Sequence, residues 1–106
     1  MNSAPEQRAV FGQFADRIEA ELRELGAWGS PAPDRPITSA FGLQDMAFTQ
    51  WLEHVLCARL REVAAGSIEP PGSSSVATQA VREFDGWREA GPLVGVLSEL
   101  DEFVSS

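Results

Sequence analysis

Apolar residues recur at steps of three and four in four separate stretches of this chain, and this periodicity limits what the chain can fold into. Such steps place side chains on one face of an α-helix, whereas a half-buried strand needs strict alternation, which no stretch shows for more than a few residues. Segments rich in Pro, Gly and Ser separate the four stretches. The pattern therefore predicts an all-α four-helix bundle with long connecting loops.

The first stretch has a start signal, an apolar stripe and a stop signal. Ser3 and Glu6 have the spacing of a capping box, and Pro5 lies near the first turn. The stripe consists of Val10, Phe11, Phe14, Ile18, Leu22 and Leu25. Gly26 is a typical residue just past a helix end, so we expect this helix to end there.

The second stretch runs from about Asp45, a candidate N-cap, to Ala65, with Gly66 as the stop. Its apolar residues occupy more than half of the helix circumference: Met46, Phe48, Trp51, Leu52, Val55, Leu56, Leu60 and Val63. A helix this apolar is expected to be the central element, covered on several sides. A homodimer through this helix would also explain the wide apolar surface.

Two shorter helices are predicted after the loop at 66–75, while the three prolines in 29–37 indicate a stiff loop before the second helix. The third helix has Ser74 or Ser75 as its N-cap. Its predicted apolar face consists of Val76, Ala80, Val81, Phe84 and Trp87. The last helix is expected to start at Pro92, and its stripe consists of Leu93, Leu97, Leu100 and Val104.

The charge balance argues against several function classes. The chain has 106 residues, which predicts one domain over residues 1–106, and its 8 basic and 16 acidic side chains give a net charge of −8. This charge repels phosphate backbones and anionic lipid, so we expect neither direct nucleic-acid binding nor membrane binding. A single cysteine and the lack of a recognisable signal peptide or apolar span predict a cytoplasmic protein.

His54 and Cys57 are three residues apart on one predicted helix, a spacing that can place two metal ligands on one face. Zinc normally takes three or four protein ligands, and the chain has no second His or Cys. The glycines lie where helices are expected to end, and none forms a phosphate-binding loop. We therefore expect no metal, no cofactor and no catalytic residue.

The spacing of several residues along the chain resembles that of the YqcC-like family, small acidic bacterial proteins of unassigned biochemistry. The middle of the pattern consists of Phe41, Met46, Trp51-Leu52, Val55-Leu56 and Arg59. Trp28, Pro71-Gly72, Val76-Ala77 and Leu100-Asp101 extend it over residues 18–104. The sequence departs from the family pattern at His54, where an aromatic often stands, and at Ala58, where a proline is common.

The resemblance implies a small four-helix, up-and-down bundle and a loose association with a tRNA pseudouridine synthase, whose gene is often a neighbour. Such synthases use a nucleophilic aspartate on a mixed α/β fold with a basic RNA-binding cleft. This chain has no strand pattern and the opposite charge, so we expect that it is not itself the enzyme.

Four residues are candidates for contact with a partner protein: Trp28, Phe41, Trp51 and Arg59. Trp51 and Arg59 are two turns apart on one side of the second helix, and both residue types are common at binding hot spots. The favoured alternative is that Trp51 fills the core while Arg59 extends outward. Trp28 could cover a bundle end or contact a partner.

Two functions from different classes fit these observations. A protein-interaction module would have an apolar groove or acidic faces for a partner. A small-molecule-binding protein, or a minor enzyme, would have an enclosed pocket between helices with converging polar groups. The sequence favours the interaction module because it has many carboxylates and few converging polar candidates.

Overall fold

The computed structural model describes residues 5–29 and 47–105, and every regular element in these ranges is helical. The elements are α1 (Pro5–Glu24), α2 (Phe48–Trp51), a π-helix (Leu52–Cys57), α3 (Ala58–Ala65), α4 (Val76–Glu83), a 3₁₀-helix (Arg88–Ala90) and α5 (Gly91–Ser105). Elements α2, π-helix and α3 follow one another without a break, and together we call them the central helix. The predicted all-α four-helix bundle is confirmed, whereas Ser3, Asp45 and the proline-rich loop lie outside the described residues.

Glycine ends both long helices, as predicted. Gly26 and Gly66 have φ angles of +71° and +82°, a left-handed conformation that residues with a Cβ rarely adopt. After α1, the Ala27 amide donates to the Leu22 carbonyl at 2.8 Å, the long bond of a Schellman motif. These turns use carbonyls that would otherwise lack a partner at the helix end.

Helix α1 and the central helix approach each other closely through small residues. A Cβ placed on Gly12 would lie 3.2 Å from the Cβ of Ala64, which is tighter than most carbon contacts in proteins. One turn further along, Ala15 is fully buried and its carbonyl accepts the Cys57 thiol at 3.7 Å. The backbones therefore pack at short range, and larger side chains at these positions would push the helices apart.

The π-helix explains why the apolar residues of the central helix occupy more than half of its circumference in the sequence pattern. At about 100° per residue, a straight α-helix would point Cys57 about 180° away from Phe48, although both side chains are buried. A π turn bonds residue i to i+5 and so absorbs one residue more than an α turn. The extra residue brings Cys57 and Leu60 to the side that already holds Phe48 and Leu52. The helix is covered on most of its circumference, as expected, and its exposed stripe consists of Ala58, Arg59, Glu62 and Ala65.

The N-terminus of α4 is capped by a side chain from α5. Asp101 accepts the amides of Val76 at 3.1 Å and Ala77 at 2.8 Å, and it also accepts the hydroxyl of Ser74. Ser75 occupies the N-cap position but its side chain makes no capping hydrogen bond. The prediction of Ser75 as the N-cap residue is therefore confirmed in position, but the carboxylate of Asp101 accepts the helix amides in place of the serine hydroxyl.

The buried face of α4 is narrower than predicted. Val76, Ala80 and Phe84 are buried, but Val81 is 60% exposed and lies outside this face. Trp87 follows the helix end and is half-buried, with its ring edge-on to Phe84 at 5.3 Å. The apolar stripe of α5 is confirmed, since Leu93, Leu97 and Leu100 are buried and Val104 packs against the same core.

Replacement of Asp101 with alanine is expected to lower the free energy of unfolding by about 1–2 kcal/mol, because two helix amides lose their acceptor. Asp101→Asn keeps one oxygen and should fall between alanine and wild type. Urea unfolding followed by circular dichroism measures both changes. Glu102→Ala, at an exposed neighbouring position, is the control, and an equal loss in that variant would contradict the capping role.

Deletion of Leu56 is expected to leave a folded protein with cooperative unfolding, because it removes the extra residue and lets the central helix become a regular α-helix. Insertion of one alanine after Leu56 should instead turn Leu60 and Val63 away from the core by about 100°. Losing core contacts of this size costs about 2–5 kcal/mol per large side chain. Thermal unfolding by calorimetry distinguishes the variants, and equal damage by deletion and insertion would contradict this account.

Candidate functional site

One groove runs along the surface where the central helix, the 68–75 loop and α5 meet, and its volume is about 490 Å³. Its walls are mainly apolar, with polar groups at the rim. The lining residues are Trp51, Leu56, Arg59, Leu60, Val63, Ile68, Glu69, Pro71, Ser73, Ser74, Ser75, Val76, Leu100 and Val104. A groove of this size and composition is typical of a ligand or peptide site.

Trp51 and Arg59, which sequence analysis placed on one side of the helix, both line this groove. Trp51 is only 5% exposed and its ring stacks on Phe48 at 5.8 Å, so it belongs to the core and forms part of the groove wall. Arg59 is exposed at the surface. The core interpretation of Trp51 and its location at a candidate site are therefore compatible.

A side chain from α5 fixes the position of the groove wall that the 68–75 loop forms. Asp101 holds Ser74 and the first two residues of α4, and Ser74 and Val76 themselves line the groove. A carboxylate that accepts three donors fixes this wall relative to Leu100 in the neighbouring turn. The groove is consequently shaped before any ligand arrives, which lowers the entropic cost of binding.

Some charged groups near the groove have an ion-pair partner among the described residues, and others have none. Glu69 lies 3.7 Å from the guanidinium of Arg8, which also donates to the carbonyl of Val63 at 3.4 Å. Arg59 forms no ion pair with any of the residues in 5–29 and 47–105. The rim therefore has a positive charge that no described carboxylate offsets.

Trp28 lies away from the groove, between two arginines. The guanidinium of Arg23 is 5.5 Å from the Trp28 ring and that of Arg61 is 6.0 Å away, within cation–π range. Glu19 accepts from both arginines, at 2.8 Å and 2.7 Å, and these hydrogen bonds, that of Arg23 foremost, lower the pKa of Glu19. Trp28 thus covers one end of the bundle, and Phe41 lies outside the described residues.

His54 and Glu53 belong to this same end of the bundle. The amide of Gly29 donates to both carboxylate oxygens of Glu53 at 3.0 Å, and His54 Nε2 is 3.9 Å from Glu53 Oε1. Among the described residues, no three His, Cys, Asp or Glu side chains form a group that could hold a metal ion. The described geometry gives Glu53 a structural role, because its carboxylate ties the turn after α1 to the central helix.

Sequence analysis missed the contribution of the 68–75 loop to the groove. Ile68, Pro71 and the three serines were interpreted as a connection between helices, since nothing in their order indicates which helix they approach. The available signal was that Pro71-Gly72, Val76-Ala77 and Leu100-Asp101 all belong to the family pattern. The structure joins two of these pairs directly, because the amides of Val76 and Ala77 donate to Asp101.

Cys57 is buried in the contact between α1 and the central helix. The side chain is fully inaccessible, and burial raises the pKa of its thiol to about 12 because a thiolate would lose its hydration there. Nucleophilic attack by cysteine requires the thiolate. At neutral pH this residue therefore acts as a small core side chain.

We expect Cys57 in the native protein to react with iodoacetamide at pH 8 at least 100-fold more slowly than in urea-unfolded protein. The unfolded thiol ionises near pH 8.5 whereas the folded one stays protonated to about pH 12. Consequently the difference in thiol ionisation stabilises the folded state fully below pH 8.5, and this stabilisation declines as the pH rises toward 12. Mass spectrometry follows the labelling, and rapid native labelling would contradict burial.

The comparison with protein families gives the class of protein. Residues 12–103 match the family model DUF446, described as tRNA pseudouridine synthase C, and the chain belongs to this family. No curated protein and no solved structure matches the chain. Within the described residues, no helix is long and apolar enough to cross a bilayer. The match covers both walls of the groove as far as Leu100.

Proposed function

We propose that this protein is a YqcC-like, non-catalytic accessory module of the cytoplasm, and that it binds a partner protein through the groove around Trp51 and Arg59. The partner that the family description suggests is a tRNA pseudouridine synthase. In this interpretation the family is described by the name of the enzyme because its members associate with that enzyme. The groove is the observation that carries the proposal.

The composition of the groove supports protein binding. Its wall combines aliphatic side chains with a tryptophan and an arginine at the rim, and the last two are residue types enriched at interface hot spots. The wall is also fixed by Asp101, so little order has to be gained on binding. Trp51 and Arg59 therefore remain our proposed contact residues, while Trp28 is engaged by its own two arginines.

Charge supports an accessory role over direct action on tRNA. A chain with a net charge of −8 repels a polyanion, and four of the seven arginines within 5–29 and 47–105 form ion pairs with carboxylates of the chain. Cys57, the only thiol, is protonated and inaccessible at neutral pH. A basic partner enzyme would be attracted by the same charge that repels its tRNA substrate.

Small-molecule binding is the second candidate function, and the groove volume favours it. A volume of about 490 Å³ lies within the range of about 300–1,000 Å³ common for ligand sites. Three serines at the rim supply hydroxyl groups that could orient a ligand. The two functions differ in what fills the groove, so the same variants test both.

The test measures binding of the purified protein to the tRNA pseudouridine synthase encoded in the same genome, by biolayer interferometry. Leu56→Asn, in the half-buried groove wall, should weaken binding about tenfold or more, as loss of a hot-spot contact does. Val81→Asn is the matched control because Val81 is 60% exposed on α4 and outside the groove. Trp51→Ala is avoided, since truncating a buried tryptophan costs about 3–5 kcal/mol of stability.

Two further measurements complete the test. The protein alone should form no pseudouridine in tRNA, and turnover by the purified chain would overturn the accessory role. Sedimentation of the protein alone shows whether a homodimer already covers the groove. Absence of synthase binding by a folded, monomeric wild type would overturn the proposed partner.

A further inference from the structure

We infer that the groove receives an apolar segment of the partner protein that presents a carboxylate to Arg59. This inference rests on the proposed function and adds the chemistry of the bound segment. It follows from the charge at the rim, the apolar walls and the fixed shape of the groove.

Arg59 is the groove-lining arginine, and among the described residues it shares the lack of an ion pair only with Arg82 and Arg88, which lie outside the groove. Arginines 8, 17, 23 and 61 form ion pairs with carboxylates of the chain. Arg59 lines the groove and has no such pair within 5–29 and 47–105. An arginine beside an apolar wall is well suited to an apolar segment with a carboxylate, because the guanidinium can donate two parallel hydrogen bonds while the rest of the segment packs on the wall.

The acidic groups beside the groove are already engaged. Asp101 accepts three donors from Ser74 and the start of α4. Glu69 is exposed and its carboxylate lies 3.7 Å from Arg8. A carboxylate entering at Arg59 therefore meets an available positive charge, whereas a basic group there would meet the repulsion of Arg59.

The groove walls indicate the chemistry of the rest of the bound segment. The accessible part of the wall is aliphatic carbon, which offers nothing to a phosphate backbone or a sugar, and it comes from Leu56, Ile68, Pro71 and Val104. A volume of about 490 Å³ suits a few apolar side chains from one turn or strand of a partner. The complementary occupant is consequently an apolar protein segment with one acidic side chain or its terminal carboxylate at the Arg59 end.

The first experiment compares charge variants at Arg59 in binding to the full-length synthase. Arg59→Gln should weaken binding about tenfold and Arg59→Glu about a hundredfold, since a charge-assisted hydrogen bond is lost and then replaced by repulsion. The matched controls are Arg82→Gln and Arg82→Glu, at an exposed arginine outside the groove. All four variants should keep the wild-type melting temperature within a few degrees.

The second experiment uses small probes of the same chemistry. Decanoate combines an apolar chain with a carboxylate, and decyltrimethylammonium has the same chain with a positive head. In ¹H–¹⁵N NMR spectra of the uniformly labelled protein, decanoate should shift the Trp51 indole signal saturably, and Arg59→Gln should weaken this effect. The signal is assigned by its loss in Trp51→Phe, and decyltrimethylammonium should leave it unchanged.

The results distinguish the proposed accessory function from the inference that the bound segment has a carboxylate. Synthase binding that is lost in Leu56→Asn but unchanged in Arg59→Glu retains the accessory function and overturns the carboxylate inference. Equal shifts with both probes also overturn it. If decanoate binds selectively and the synthase does not bind, the groove is a small-molecule site, and both the proposed partner and the protein-segment inference are overturned.

Discussion

The extra residue in the central helix is the constraint on which the rest of the bundle depends. Without the π turn, Cys57 would face away from Phe48, and α1 could not pack at short range against Ala64 while Phe48 stays buried. With it, the buried residues of the π-helix and α3 lie on one continuous face that contacts α1. The same turn leaves Leu56 half-buried at the groove, so the irregularity that completes the core also shapes the candidate site.

Asp101 supplies the second constraint, because it connects elements that are distant in sequence. A cap within α4 would leave the preceding loop free to move relative to α5. The carboxylate from α5 instead fixes Ser74 and the start of α4 against the helix that carries Leu100. Groove shape and bundle stability are thereby coupled, and a ligand that fills the groove is expected to stabilise the fold by mass action.

Local sequence signals predicted the helices well, because apolar period, glycine stops and proline breaks act within a few residues. The α1 stripe, Gly26, Gly66 and the α5 stripe are all confirmed by the structure. The errors arose where a distant residue intervened. Val81 is exposed because the partner of α4 is mainly α5, and the first amides of α4 donate to Asp101 although Ser75 is the N-cap residue.

The sequence by itself determined that this chain forms an all-α bundle with a negative charge, and that Trp51 and Arg59 share one side of a helix. The sequence could not locate the π turn. One extra residue in a helix shifts the apolar pattern by one position, and in the sequence this shift looks the same as a wide apolar face. Only the position of the neighbouring helix distinguishes the two. Only the tertiary structure brought the 68–75 loop to the central helix and gave four arginines their acidic partners. Packing and charge pairing between distant residues therefore decided where the groove lies and why Arg59 remains available within it.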